Sequence, residues 1–215
     1  MKYVYPMMAD LTSHRCLVVG GGAVAERKIG SLLAGNADVI VVSPQVTDKI
    51  KSWAQMGKII WIPRLYQEKD GENCLIVIAA TNDPDVNKQI YHDARRRKQF
   101  INVVDQPALC NFIVPSTVRR GKLTLAISTH GASPSLAKQI RKELEERYSE
   151  EYALLLELVH EMRVHIQKRV PDQEKRRKMM KELISPKWIN ICRLHPNQAK
   201  EWMLQWIEQE IQSQC

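Results

Sequence analysis

The feature that most constrains this chain is a short apolar run that ends in three glycines. Cys16-Leu17-Val18-Val19 reads as a buried strand and runs directly into Gly20-Gly21-Gly22. A helical pattern follows from Ala23 to Leu33, with Val24, Ile29, Leu32 and Leu33 as its apolar stripe and Gly35 as its stop. Gly20, Gly22 and Ala25 thus spell G-x-G-x-x-A between a strand and a helix. There, the first glycine permits a tight turn, the second lets backbone approach a pyrophosphate, and the small third residue lets helix and strand pack closely. The helix start adds free N–H groups and a partial positive charge. Gly20, Gly21, Gly22, Ala23 and Val24 are therefore candidate cofactor-binding residues. The bland alternative is a glycine turn with no ligand. The neighbouring strands weigh against it.

Those strands recur at regular intervals. Val39 to Val42 and Ile59 to Ile62 read as strands around a helix from Val46 to Met56. Cys74 to Ala80 is almost continuously apolar, as in a strand covered on both faces. Asp83-Pro84 opens a helix to about Lys98, and Phe100 to Val104 is a further strand. Strands alternating with helices predict an α/β fold with a mainly parallel, Rossmann-type sheet. Ligands of such sheets collect outside the carboxyl ends of the strands. Thr81 and Asn82 follow the fourth strand and are candidate cofactor contacts, although a plain helix cap explains them equally. The second strand ends in Ser43-Pro44, without the acidic residue that would hold ribose hydroxyls or a following arginine for a 2′-phosphate. Ser43 and the backbone near Pro44 and Gln45 are candidates for the adenosine ribose. Charge alone leaves NAD and NADP unseparated.

After Pro107 the pattern changes. Phe112-Ile113-Val114 and Leu123 to Ser128 read as two antiparallel strands joined across Arg119-Arg120-Gly121-Lys122. Ser133-Pro134 opens a helix to about Tyr148, with Ser as cap and Pro at the first helical position. From Glu150 onward everything reads as helical. The expected divisions are residues 1–110, 111–148 and 149–215.

The net charge of +8 attracts polyanions: nucleic acid, an anionic membrane, or a small molecule with many carboxylates. An aromatic content of 6% argues against a base-stacking platform. The start MKYVYPMMAD lacks a signal-peptide core, no apolar run is long enough to span a membrane, and the five cysteines match no zinc spacing. A soluble, cytoplasmic protein without a resident metal is expected. His160-Glu161 resembles a zinc-protease helix, but Val164 stands where the second histidine belongs. Lys175-Arg176-Arg177-Lys178 reads as helical surface charge, and Trp188, Trp202 and Trp206 as packing in the tail.

Taken together, several segments resemble the precorrin-2 dehydrogenase / sirohydrochlorin ferrochelatase family of sirohaem synthesis. They are Gly20-Gly21-Gly22-x-Val24-Ala25-x-Arg27-Lys28, Ala79 to Asp83, Asn102-Val103-Val104-Asp105, and Ser128-Thr129-x-Gly131-x-Ser133-Pro134. The resemblance covers about residues 4 to 170. It implies an N-terminal Rossmann domain, a middle α/β dimerisation region and a helical C-terminal region. It implies an NAD-dependent oxidation of precorrin-2 to sirohydrochlorin by a homodimer, with ferrous iron as a further partner where the chelatase activity is also present. It implies Asp105 as the residue of the chemistry, acting as general base or orienting the pyrrole N–H groups.

A basic chain suits a substrate bearing many acetates and propionates. Arg119, Arg120, Lys122, Lys138 and Arg141 are candidate carboxylate partners, and Thr129 and His130 candidate substrate contacts; for each, a solvated or structural role competes. Neither nucleic acid nor membrane is expected as a partner. The different-class alternative is a dinucleotide-sensing module without chemistry.

Overall fold

Alternation within β1 (Arg15–Val19) decides how the first half of the chain is built. Cys16 and Val18 point into one apolar cluster, and Leu17 and Val19 into another. A strand buried on both faces needs cover on both faces, and the intervening helices supply it. The computed structural model describes residues 4–213. The opening three residues of the leader reading, and Cys215, lie outside them. The chain divides between Val114 and Pro115 into two compact units.

In the first unit, β1, β2 (Asp38–Val42), β3 (Ile59–Ile62), β4 (Cys74–Ala79) and β5 (Phe100–Val103) form one parallel sheet in the order β3-β2-β1-β4-β5. Helices α1 (Ala23–Leu33) and α2 (Asp48–Gln55) send Ala25, Ile29, Leu32 and Ile50 to one face. From α3 (Pro84–Arg96), Ile90 and Ala94 cover the other. Each of the buried leucine and isoleucine side chains contributes about 1.5–3 kcal/mol by leaving water. The second helix begins at Asp48, later than its periodicity predicts, because Thr47 caps it through Ile50 N–H.

Two expectations past Pro107 are corrected. Phe112-Ile113-Val114 is not a strand, and the hairpin partner of β7 (Leu123–Ile127) is β6 (Ser116–Arg120). Asn111 explains the difference. Its carboxamide accepts from Ile101 N–H at 2.7 Å and donates to the Gln99 carbonyl at 2.8 Å, so this segment caps the open edge of β5 instead of pairing with β7. Arg119 and Arg120 consequently belong to β6. The hairpin turn is Gly121-Lys122, with Gly121 at φ +53°.

The second unit sets α4 (Pro134–Arg147) against this hairpin and continues with α5 (Glu151–Arg169), α6 (Gln173–Glu182), α7 (Pro186–Leu194) and α8 (Ala199–Gln212). The α5 stripe of Leu155, Leu158, Val159, Met162 and Ile166 packs with Trp188, Met203 and Ile207 in one cluster. Trp188 is fully buried and meets Trp206 edge to face at 6.0 Å, while Trp202 is half-exposed and tilts over His195. Within the basic run, Lys178 pairs with Glu174, and Arg176 donates to the carbonyls of Val170 and Pro171. None of the described helices is long and apolar enough to cross a membrane.

Candidate functional site

The strand order reverses between β1 and β4, and there the carboxyl ends open a crevice. Four loops meet at that end of the first unit: residues 20–22, 43–47, 80–83 and 104–106.

The glycine loop is held by sterics that forbid other residues. Gly20 has φ +121°, and a Cβ on it would lie 2.2 Å from the Ala80 carbonyl oxygen. A Cβ on Gly21 would stand 2.0 Å from the Gln45 oxygen and 2.9 Å from Ser43 Oγ. Gly22 differs: a Cβ there would meet nothing within 4 Å. It is the N-cap of α1, and no side chain caps that helix. The first-turn amides of Ala23 and Val24 thus open on a space that glycine leaves clear, an arrangement that accepts an anionic group. The residues present fit a dinucleotide's pyrophosphate.

Loop 43–47 clamps the turn from the side. Thr47 N–H donates to the Gly21 carbonyl at 3.0 Å, and Thr47 Oγ1 to Glu26 Oε2 at 2.7 Å. Ser43 is buried, and its hydroxyl proton goes to the Gln45 carbonyl at 2.6 Å, so the side chain shapes the loop rather than facing solvent. Trp61 Nε1–H donates to the Ser43 carbonyl at 2.9 Å. Pro44 and Gln45 are exposed at the rim.

Across β1, Thr81 is locked by Asn87. Thr81 Oγ1 lies 2.9 Å from Asn87 Oδ1, and Asn87 Nδ2 donates to the Thr81 carbonyl at 3.0 Å. Asn82 is exposed beside it. Asp83 then caps α3 by accepting from the amides of Asp85 and Val86. Sequence periodicity gave no weight to Thr47 or Asn87. The T-D-x-x start of α2 was the available signal for the first; a buried asparagine in a polar helix leaves none.

Asp105 follows β5 in a tight turn closed by Gln106 N–H on the Val103 carbonyl at 3.2 Å. Its φ is +59°, a left-handed conformation that aspartate tolerates, and its side chain is exposed at the crevice end of the sheet. Cys110 fixes the base of this loop. Its sulfur accepts from Val103 N–H at 3.3 Å and from Asn102 Nδ2 at 3.6 Å, and burial raises its thiol pKa.

The structure therefore brings Gly20, Gly21, Gly22, Ala23, Val24, Ser43, Pro44, Thr81, Asn82 and Asp105 to one end of one sheet. The other candidates belong to the second unit. Thr129 Oγ1 donates to the Ser133 carbonyl at 3.0 Å and accepts from Ser133 N–H at 3.2 Å, tying the loop before α4. His130 is exposed at φ +53°. Arg119 is exposed on β6. Arg120 serves its own unit: it donates to the carbonyls of Arg119 and Glu145 and lies 3.2 Å from Glu150.

Comparison with known proteins adds the following. Residues 7–116 match the family described as "Putative NAD(P)-binding", and residues 120–147 the family "Sirohaem biosynthesis protein central". "Siroheme synthase" of Nitrosococcus oceani is 37% identical over 177 residues, covering 82% of this chain and 38% of that protein. "Siroheme synthase" of Nitrosospira multiformis is 32% identical over 213 residues, covering 97% of this chain and 44% of its own length. The chain thus spans less than half the length of these curated relatives. A solved structure, "SirC, precorrin-2 dehydrogenase", superimposes with a TM-score of 0.80 at 32% identity, covering 96% of this chain and all of that one.

Proposed function

The chain belongs to the sirohaem biosynthesis family, with its NAD(P)-binding and central segments in one polypeptide, and from that premise we propose that it is an NAD-dependent precorrin-2 dehydrogenase that makes sirohydrochlorin. The observation that carries this reading is the uncapped start of α1, cleared by Gly22, with Asp105 on a neighbouring strand end of the same sheet. A sensing module would need the first feature and has no use for the second.

The reaction moves a hydride from precorrin-2 to NAD⁺ and releases a proton, giving sirohydrochlorin, NADH and H⁺. When bound, the dinucleotide supplies the hydride acceptor. The amides of Gly22, Ala23 and Val24 hold its pyrophosphate. Thr81 and Asn82 border the cofactor on the β4 side, while Ser43 and Pro44 shape the ribose end. NAD is proposed over NADP from the family resemblance, and the commitment of the nearest cation on α2 supports it: Lys49 is paired with Glu26 at 3.4 Å. Asp105 takes the proton as general base, or holds the pyrrole N–H groups while solvent takes it.

In the second unit, Thr129, His130, Arg119 and Arg120 remain the proposed substrate-side residues. Thr129 and Arg120 act there by holding their loops in shape. We keep three functional regions, 1–110 for the cofactor, 111–148 for dimerisation and 149–215 as a helical domain, in a cytoplasmic homodimer. The dimer is supported by the thin core of the middle region. Across 115–148, Val118 and Ala137 are the buried apolar residues among those described, while Leu136 stays 46% exposed.

The test is production of NADH from precorrin-2 and NAD by the purified chain, beside Asp105→Asn. Asparagine keeps the left-handed backbone and removes only the ionisable oxygen. Turnover is expected to fall by about 10²–10⁴-fold while NAD binding is unchanged. Wild-type turnover in the folded variant would remove Asp105 from the chemistry. No turnover by a wild-type chain that binds NAD would favour the sensing module.

A further inference from the structure

Lys28 is a cation in want of a counter-ion. It sits on α1 three residues after Ala25 and four before Leu32, both buried, so it borders the stripe that faces the sheet. Its side chain is half-buried, and among the described residues it makes neither a hydrogen bond nor an ion pair. Helical side chains lean back toward the helix N-terminus, so its four-carbon stem reaches toward the crevice end of the sheet. Val104 and Phe112, which bracket the Asp105 loop, pack on the same cluster as Ala25 and Ile29. At neutral pH the charges nearest the ammonium are those of Arg27 and Asp105. Asp105 itself lies beyond the 4.0 Å of an ion pair. Burial, reinforced by Arg27, holds the Lys28 pKa below the usual lysine value, and Asp105 opposes that only in part.

The Lys28 stem is half-buried while its ammonium keeps contact with solvent and has no counter-ion among the described residues, a partial desolvation that is unfavourable in the ligand-free protein. Such a cost is typical of a residue whose partner arrives with the ligand. The pyrophosphate is an unsuitable partner. Its partners are the uncapped amides that open α1, roughly 7.5 Å along the axis from the Lys28 backbone, and they satisfy it without the lysine. The remaining anions are the acetates and propionates around a tetrapyrrole.

We infer that Lys28 anchors one peripheral carboxylate of the tetrapyrrole and so sets the ring beside Asp105. The inference rests on the dehydrogenase reading and adds to it a residue that fixes substrate orientation. Lys28 recognises a carboxylate, and Asp105 meets the reacting part of the ring.

The experiment titrates the full chain separately with sirohydrochlorin and with NAD, for wild type, Lys28→Met and Lys28→Arg, and records each ligand-free melting temperature. Lys28→Met is expected to weaken sirohydrochlorin about tenfold, the size of one charge-assisted hydrogen bond. Lys28→Arg should recover most of that, and NAD affinity should be unchanged in both. Ligand-free Lys28→Met should melt at or above wild type, because methionine fills the site without the unpaired charge. Wild-type affinity for sirohydrochlorin in Lys28→Met would overturn the inference. So would a loss confined to NAD, or a lower melting temperature, which would make the lysine structural. Each of those leaves the dehydrogenase reading standing. A wild-type chain that neither binds sirohydrochlorin nor forms it from precorrin-2 would instead defeat both.

Discussion

The glycine loop and the β6–β7 hairpin are both short connections between regular elements, yet they are held in opposite ways. The glycine loop is pinned from two sides, by Gln45 and Thr47 from the β2 loop and by Ala80 from the β4 end, over a sheet buried on both faces. The hairpin rests on one buried valine, a helix that buries one alanine, and the contact of Gly121 with Ala153. The first region is complete within its own unit and arrives pre-organised for a ligand. The second buries little apolar surface for its size, which is the feature that supports the proposed dimer. Rigidity suits the proposed pyrophosphate site, and unfinished packing the proposed subunit contact.

The largest effect that could break this comparison is at Gly21. Alanine there drives a Cβ to 2.0 Å from a backbone oxygen, so the loop must shift. Gly21→Ala is expected to cost about 2–4 kcal/mol, read as a lowered denaturation midpoint. Unchanged stability would mean that the loop is not pinned. Next is Leu136→Asp on α4, which places a charge on the half-exposed apolar face. Sedimentation should show dimer dissociation strengthened at least about tenfold, with the monomer's helical signal intact. A dimer of undiminished affinity would place the subunit contact elsewhere.

The smallest effect sharpens the contrast with the C-terminal helices, which do carry a closed core. Glu151 at the start of α5 is buried and receives Arg193 through Nη2 at 2.5 Å. Burial pushes its carboxyl pKa up, but the bonds from Arg193, its own backbone N–H and Ser149 outweigh that and hold it below the ordinary value of 4.5. A folded-state pKa that is depressed adds stability above the unfolded value and forfeits it as pH falls through the folded one. The melting temperature should therefore drop more steeply for wild type than for Arg193→Met from about pH 5 downward. At neutral pH that variant should lose about 1–2 kcal/mol, a figure kept small by the half-exposed guanidinium. Parallel pH profiles would remove the pair from the stability of this region.

Much of the first unit was legible because its elements repeat with clean periods. The bounds Ala23–Leu33 and Ile59–Ile62 coincide with the apolar patterning, and the crevice follows from strand order alone. What escaped notice depends on hydrogen bonds between residues distant in the chain or hidden in polar stretches. Asn111 spends its carboxamide on the edge of β5, which deprives Phe112 to Val114 of strand pairing despite their β-forming side chains. Asn87 is buried within a helix that otherwise reads as polar surface. Ser43 occupied a ribose position in the pattern, and only the fold shows its proton committed to Gln45. Lys28 stands inside the glycine motif, but its lack of a counter-ion among the described residues is a property of the packed molecule.

The most direct test of the central claim is calorimetric titration with NAD of the wild-type chain and Gly22→Leu. A Cβ at this glycine meets no protein atom, so the substitution should leave the melting temperature unchanged while filling the space before the α1 amides. Wild type should give saturable heat, and the variant should lose at least about 100-fold in affinity, near 2.7 kcal/mol. Wild-type protein that takes up no NAD, or a Gly22→Leu chain that binds it equally well, would contradict the assignment of the pyrophosphate to the start of α1.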